Sequence, residues 1–116
     1  MDYKFINMEY LDSVTGGDSE ITREITVMFK EQSIEIYSEM KSLLLKKKYS
    51  LLGLLAHKAK SSVSIMGMND LALMLKTFEY QAKEGKDIEL YESYIERFNT
   101  ETKAAFFELE DLVSNL

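Results

Sequence analysis

The 116-residue chain has no cysteine, which excludes disulfides, thiol nucleophiles and thiolate metal sites. It has no proline and only five glycines, so few residues would break a helix anywhere along it. Nowhere does it approach the roughly 18 consecutive apolar residues that cross a bilayer. Its first residues, Met1-Asp2-Tyr3-Lys4-Phe5-Ile6-Asn7, lack the basic and then apolar regions of a secretory signal. Positive charge is scarce: the net charge is -6 and the sequence pI about 4.8. A primary role on nucleic acid needs a basic footprint and is set aside. The expectation is a soluble, cytoplasmic protein without membrane or nucleic-acid partners.

What is present is a chain that is 46% apolar, enough for one modest core and too apolar for disorder. Residues 1–116 therefore read as a single domain. Seven methionines suit irregular gaps between helices. Asn7 to Val14 reads as a short first helix carrying Met8, Leu11 and Val14. Gly16-Gly17-Asp18 breaks the chain, with Asp18 as N-cap. Ile21, Ile25, Met28, Phe29, Ile36, Tyr37, Met40, Leu43 and Leu44 then keep helical spacing for about seven turns, with room for a bend near Gln32 and Ser33. Lys46-Lys47-Lys48 closes that helix, where cations suit the dipole, and Ser50 is positioned to cap the next, which ends at Gly67. Asn69 is read as the following cap, ahead of Leu71, Met74, Leu75, Phe78 and Ala82, and Gly85 as the stop. Asp87 opens a last helix lined by Leu90, Tyr94, Ile95, Phe98, Ala105, Phe106, Leu109, Leu112 and Val113. No stretch alternates as a strand does. The fold expected is all-α, an up-down antiparallel four-helix bundle with an additional short N-terminal helix.

The only histidine, His57, lies within Leu54-Leu55-Ala56-His57-Lys58-Ala59-Lys60-Ser61-Ser62. At about 100° per residue, Leu52, Leu55, Ala59, Ser62, Val63 and Met66 form one apolar stripe, and His57 points roughly opposite its centre. Gly53, Lys60, Ser61 and Ser64 surround it on that outer face. Three of these four are very small, so the ring is expected to project from an open patch, and Gly53, Ser61 and Ser64 to give clearance to a docking partner. Lys60, three residues on, can reach the same patch. An imidazole held rigidly in water serves as a nucleophile or proton carrier.

His57 stands eleven residues before Met68 and Glu79 eleven after, so an antiparallel hairpin sets the two level. A carboxylate accepting from Nδ1–H would fix the tautomer that leaves Nε2 free. Other chemistries lack their residues. One histidine without cysteine makes a poor metal site, and Gly16-Gly17 has neither the lysine nor the spacing of a nucleotide loop. Tyr37, Phe78, Tyr94, Phe98 and Phe106 read as core, whereas Tyr3, Tyr10, Tyr49, Tyr80 and Tyr91 carry no signal.

His57, Lys60, Ser61, Gly67, Leu71 and Glu79 carry a family likeness, with Ala56 and the segment Ala82-Lys83-Glu84-Gly85-Lys86-Asp87 beside them. Through these residues the chain resembles the histidine-containing phosphotransfer (HPt) domain of bacterial multistep two-component phosphorelays. Two positions depart from the family pattern: Ser61 replaces a usual glycine and Ala59 a usual leucine. The resemblance implies a phosphorelay intermediate that accepts a phosphoryl group on His57 from a receiver-domain aspartate and passes it to another. Lys60 would then offset phosphoryl charge and Glu79 orient the ring. It further implies response-regulator receivers and a hybrid histidine kinase as partners, a monomeric state and no autokinase activity. The chain would carry no cofactor of its own, Mg²⁺ being held by the receiver. A non-catalytic helical adaptor that binds through the same face is the alternative.

Overall fold

A computed structural model describes residues 2–116. It is all-helical, with five helices: α1 (Met8–Thr15), α2 (Ser19–Leu45), α3 (Tyr49–Ile65), α4 (Asn69–Glu84) and α5 (Tyr91–Ser114), the last preceded by a 3₁₀ turn at Ile88–Leu90. Helix α2 runs uninterrupted for 27 residues and continues through Gln32 and Ser33. At 1.5 Å rise per residue that is about 40 Å, which accounts for the 43 Å long axis of the molecule.

The local chemistry of the helix ends is mixed. Asp18 caps α2 as expected, its side chain accepting from the N–H groups of Glu20 and Ile21. Asn7 does the same for α1 through Tyr10 N–H. The other two expected caps are corrected. Helix α3 begins at Tyr49, with Lys48 in the cap position, and α4 begins at Asn69, behind Met68; neither has a side-chain cap. Ser50 and Asn69 already lie inside their helices, because α3 begins two residues and α4 one residue earlier than the polar residues suggest. Gly85 ends α4 as expected. Asp87 has left-handed backbone rather than opening α5.

Helices α3 and α4 form an antiparallel hairpin, with His57 level with Glu79. Helices α2 and α5 also run antiparallel: Phe29 meets Phe106 edge to face at 5.8 Å, and nearer the other end Tyr37 hydroxyl donates to Glu96. Between the pairs, Phe78 stacks obliquely on Tyr91 at 5.3 Å and Tyr94 at 5.2 Å. Leu52, Ala56, Val63, Leu71, Leu75, Phe98, Ala105 and Leu109 complete the interior. Tyr91 lies wholly inside, because its hydroxyl donates to the Lys86 carbonyl and so leaves no polar group unpaired. Met8, Val14, Ile21 and Met28 belong to the expected apolar stripes but are exposed.

The N-terminal segment is strapped across one end. Backbone N–H groups of Lys4, Phe5 and Ile6 donate to the Glu108 carboxylate on α5, and Asn7 N–H donates to the Met66 carbonyl at 2.9 Å. Among the described residues no helix is long and apolar enough to cross a membrane.

Candidate functional site

Helix α3 contains no acidic residue, and its buried arc is wider than the apolar stripe suggests. Leu52, Gly53, Leu55, Ala56, Ala59, Ser62 and Val63 are all covered. The reason is that α4 approaches α3 at van der Waals distance along the Gly53 edge. A methyl group at Gly53 would stand 3.1 Å from the Glu79 carbonyl oxygen and 3.2 Å from the Lys83 backbone nitrogen. Gly53 therefore does not belong to an open outer patch. This corrects the wheel: four residues, or about 40° of net rotation, separate Gly53 under α4 from His57 just beyond its edge.

That position gives His57 two environments at once. Its side chain is 55% exposed, yet its Nδ1 lies 3.0 Å from Oε1 of Glu79, whose side chain is only 10% exposed. Glu79 holds the centre of a charged cluster. Its Oε2 accepts from Lys83 Nζ at 2.7 Å, and Lys60 Nζ stands 3.7 Å from Oε1. Burial pushes the Glu79 carboxyl up, but hydrogen bonds from Lys83 and His57, with their charges, outweigh it and hold the group below its ordinary value.

An ionised carboxylate can only accept. The hydrogen between Glu79 and His57 must therefore sit on Nδ1, which assigns the neutral ring to the Nδ1–H tautomer. Nε2 is then left with its lone pair on a ring more than half open to solvent. Such a nitrogen can attack an electrophile, and the positive charge that develops on the ring meets Glu79 behind it.

The structure thus brings together His57, Glu79 and Lys60. Ser61 is exposed, with its hydroxyl turned back toward the His57 carbonyl at 3.4 Å, and Ser64 is half-buried, donating to the Lys60 carbonyl at 2.7 Å. Both hydroxyls fold onto their own helix and keep the surface low. Two residues beside His57 escaped the sequence reading. Lys83, given no role within the segment Ala82-Lys83-Glu84-Gly85-Lys86-Asp87, stands four residues after Glu79, a spacing that pairs charges on a helix. Leu54, three residues before the histidine, is 57% exposed and gives the outward face an apolar element. Among the described residues no three His, Cys, Asp or Glu side chains gather as metal ligands.

No protein-family model matches the chain, and neither a curated protein nor a solved structure is detectably similar to it.

Proposed function

We propose that this chain is a phosphorelay intermediate of the histidine-containing phosphotransfer type, an up-down antiparallel four-helix bundle with a short additional N-terminal helix. One observation carries the reading: a half-exposed imidazole whose Nδ1 is engaged by a buried carboxylate, which leaves the lone pair on Nε2. In the proposed reaction the Nε2 lone pair forms a bond to the phosphorus of a receiver aspartyl phosphate. The bond between phosphorus and the aspartyl oxygen breaks, and the aspartate leaves as a carboxylate. The ring keeps its Nδ1 proton and becomes cationic, facing Glu79. Passing the group to a second receiver reverses these steps.

Phosphoryl transfer is mostly positioning and charge neutralisation, and each residue has a corresponding task. His57 is the nucleophile. Glu79 fixes its tautomer. Lys60, whose side chain is 27% exposed, offsets the charge of the phosphoryl group. Ser61 and Ser64 leave clearance for the receiver, which supplies Mg²⁺. The chain acts in the cytoplasm as a monomer between a hybrid histidine kinase and response-regulator receivers, and has no autokinase activity.

The deciding experiment is transfer from a panel of radiolabelled, phosphorylated receiver domains, with His57→Gln as control. Label that reaches only the wild type, and is acid-labile but alkali-stable, identifies phosphohistidine at this residue. Binding to a receiver without transfer of label would replace the reading with a helical adaptor. His57→Gln gives up the bond from Nδ1 to the buried Glu79 carboxylate and should lose stability on the order of 1 kcal/mol, so circular dichroism of the control checks that it is folded.

A further inference from the structure

We propose that Lys83 is the positioning residue of this site: seated in the notch that Gly53 opens, it fixes the Glu79 carboxylate and thereby releases Lys60 for a second task. The first half stands on geometry alone. The second, that Lys60 meets a phosphoryl group, rests on the phosphoryl-acceptor reading.

Two hydrogen-bond donors and a third cation surround one carboxylate. Lys83 has Oε2 to itself at 2.7 Å, whereas Oε1 is shared by His57 at 3.0 Å and Lys60 at 3.7 Å. The terminal torsion of a glutamate is soft and roughly two-fold, so without an anchor the carboxylate has no fixed oxygen to offer His57. Lys83 provides the anchor from one turn along the same helix, with glutamate N-terminal to lysine, the favoured order for such a pair.

The lysine stem has a defined seat. A Cβ at position 53 would lie 2.8 Å from Lys83 Cγ, so the stem crosses α3 where residue 53 has no side chain. The absence of bulk at Gly53 thus acts through Lys83 on Glu79, and through Glu79 on the ring.

The two lysines have different work. At 3.7 Å Lys60 is too far from Oε1 for a hydrogen bond and is held by charge alone. It can swing away without stranding a buried anion, because Lys83 and His57 keep theirs. Were Lys83 missing, Lys60 would be the only lysine left beside a carboxylate 10% exposed. Drawing it off would then carry the large cost of uncovering a buried charge.

The test uses the full chain and exploits its single histidine. Two-bond ¹H–¹⁵N correlation spectra report the tautomer of His57 directly in the unphosphorylated protein. Phosphoramidate then serves as a small donor: Nε2 forms the new bond to phosphorus while the donor P–N bond breaks and ammonia leaves. Lys83→Ala should lower the Nδ1–H fraction and slow labelling on the order of tenfold, the scale of losing an outer partner at a working imidazole. Lys83→Arg should restore both. Lys60→Ala should slow labelling and leave the tautomer unchanged. A wild-type tautomer in Lys83→Ala overturns the positioning role, and a Lys60→Ala tautomer as disturbed as that of Lys83→Ala overturns the division of labour. A wild-type chain that phosphoramidate cannot label defeats the phosphoryl-acceptor reading instead, while the tautomer spectra still decide what Lys83 does.

Discussion

Oε1 of Glu79 stands 3.0 Å from Nδ1 of His57 across the α3–α4 interface, and it is the more buried of the two partners. The arrangement makes the carboxylate a fixed feature of the fold and the imidazole an adjustable one. Whatever reaches Nε2 from outside meets a ring whose other nitrogen is already committed.

The first consequence is a pH dependence. The Glu79 carboxyl sits below its ordinary value of 4.5 in the folded chain, where Lys83 and His57 favour its charged form over burial. The unfolded chain therefore binds more protons than the folded one as pH falls below that value, and stability declines with it. The contribution is fully present above the ordinary value and is lost as pH drops through the depressed one. Glu79→Gln has no such group. Thermal melts at about pH 7 and in steps from about pH 5 to 3 should show the gap between wild type and variant closing with acid. A gap that stays constant would mean that Glu79 gains nothing from its charge.

The second concerns Gly53. Alanine is the better helix former by about 1 kcal/mol, so on an open helix face Gly53→Ala would stabilise. Here the added methyl meets Lys83 Cγ at 2.8 Å and two backbone atoms of α4 at 3.1 and 3.2 Å. The lysine stem can move, but the backbone of a packed helix yields little. Overpacking of about 1–3 kcal/mol outweighs the propensity gain, and urea denaturation should show a net loss. A more stable variant would place α4 farther from α3.

The sequence reveals the α3–α4 hairpin well, and for a definite reason. Antiparallel helices joined by a tight turn keep residues level by simple counting, which is why Glu79 could be matched to His57 from numbering alone. Counting says nothing of how closely two helices approach. Gly53 was misplaced because the wheel assumes a stripe of fixed width, whereas a glycine widens the buried arc by letting the neighbouring backbone in. Tyr91 was missed because its burial depends on the Lys86 carbonyl, a partner five residues back that no hydrophobic pattern encodes. The Glu108 strap was invisible for the same reason, since its donors are backbone amides about a hundred residues away in sequence.

A third expectation contrasts two glycines. Gly67 and Gly16 both have left-handed backbone, with φ of +71° and +67°. Any L-residue there costs about 1–2 kcal/mol. At Gly16 nothing lies within 4 Å of an added Cβ, whereas at Gly67 the Cβ of Asn7 would be 2.5 Å away. Asn7 also caps α1 and bonds to Met66, so it cannot step aside freely. Gly67→Ala should therefore destabilise by clearly more than Gly16→Ala, whose loss should stay near the conformational cost alone. Equal losses in denaturant would mean that the N-terminal strap gives way at no expense.

The strap itself is open to a sharper test. Three consecutive amides, of Lys4, Phe5 and Ile6, converge on the Glu108 carboxylate at 2.9–3.1 Å. A carboxylate offers two acceptor oxygens; a carboxamide offers one, and turns its NH₂ toward donors. Glu108→Gln should thus expose at least one of these amides. Hydrogen bonds to a charged acceptor contribute about 1.5–3 kcal/mol, so hydrogen exchange at residues 4–6 should accelerate roughly tenfold or more. Exchange in α3 and α4 should stay as in wild type, because neither helix touches Glu108 through a hydrogen bond. Unchanged exchange at residues 4–6 would shift the anchoring to the buried Ile6 side chain and to the 2.8 Å hydrogen bond from Tyr3 to Asp111. The two anchors are separable because only the carboxylate can collect three amides at once.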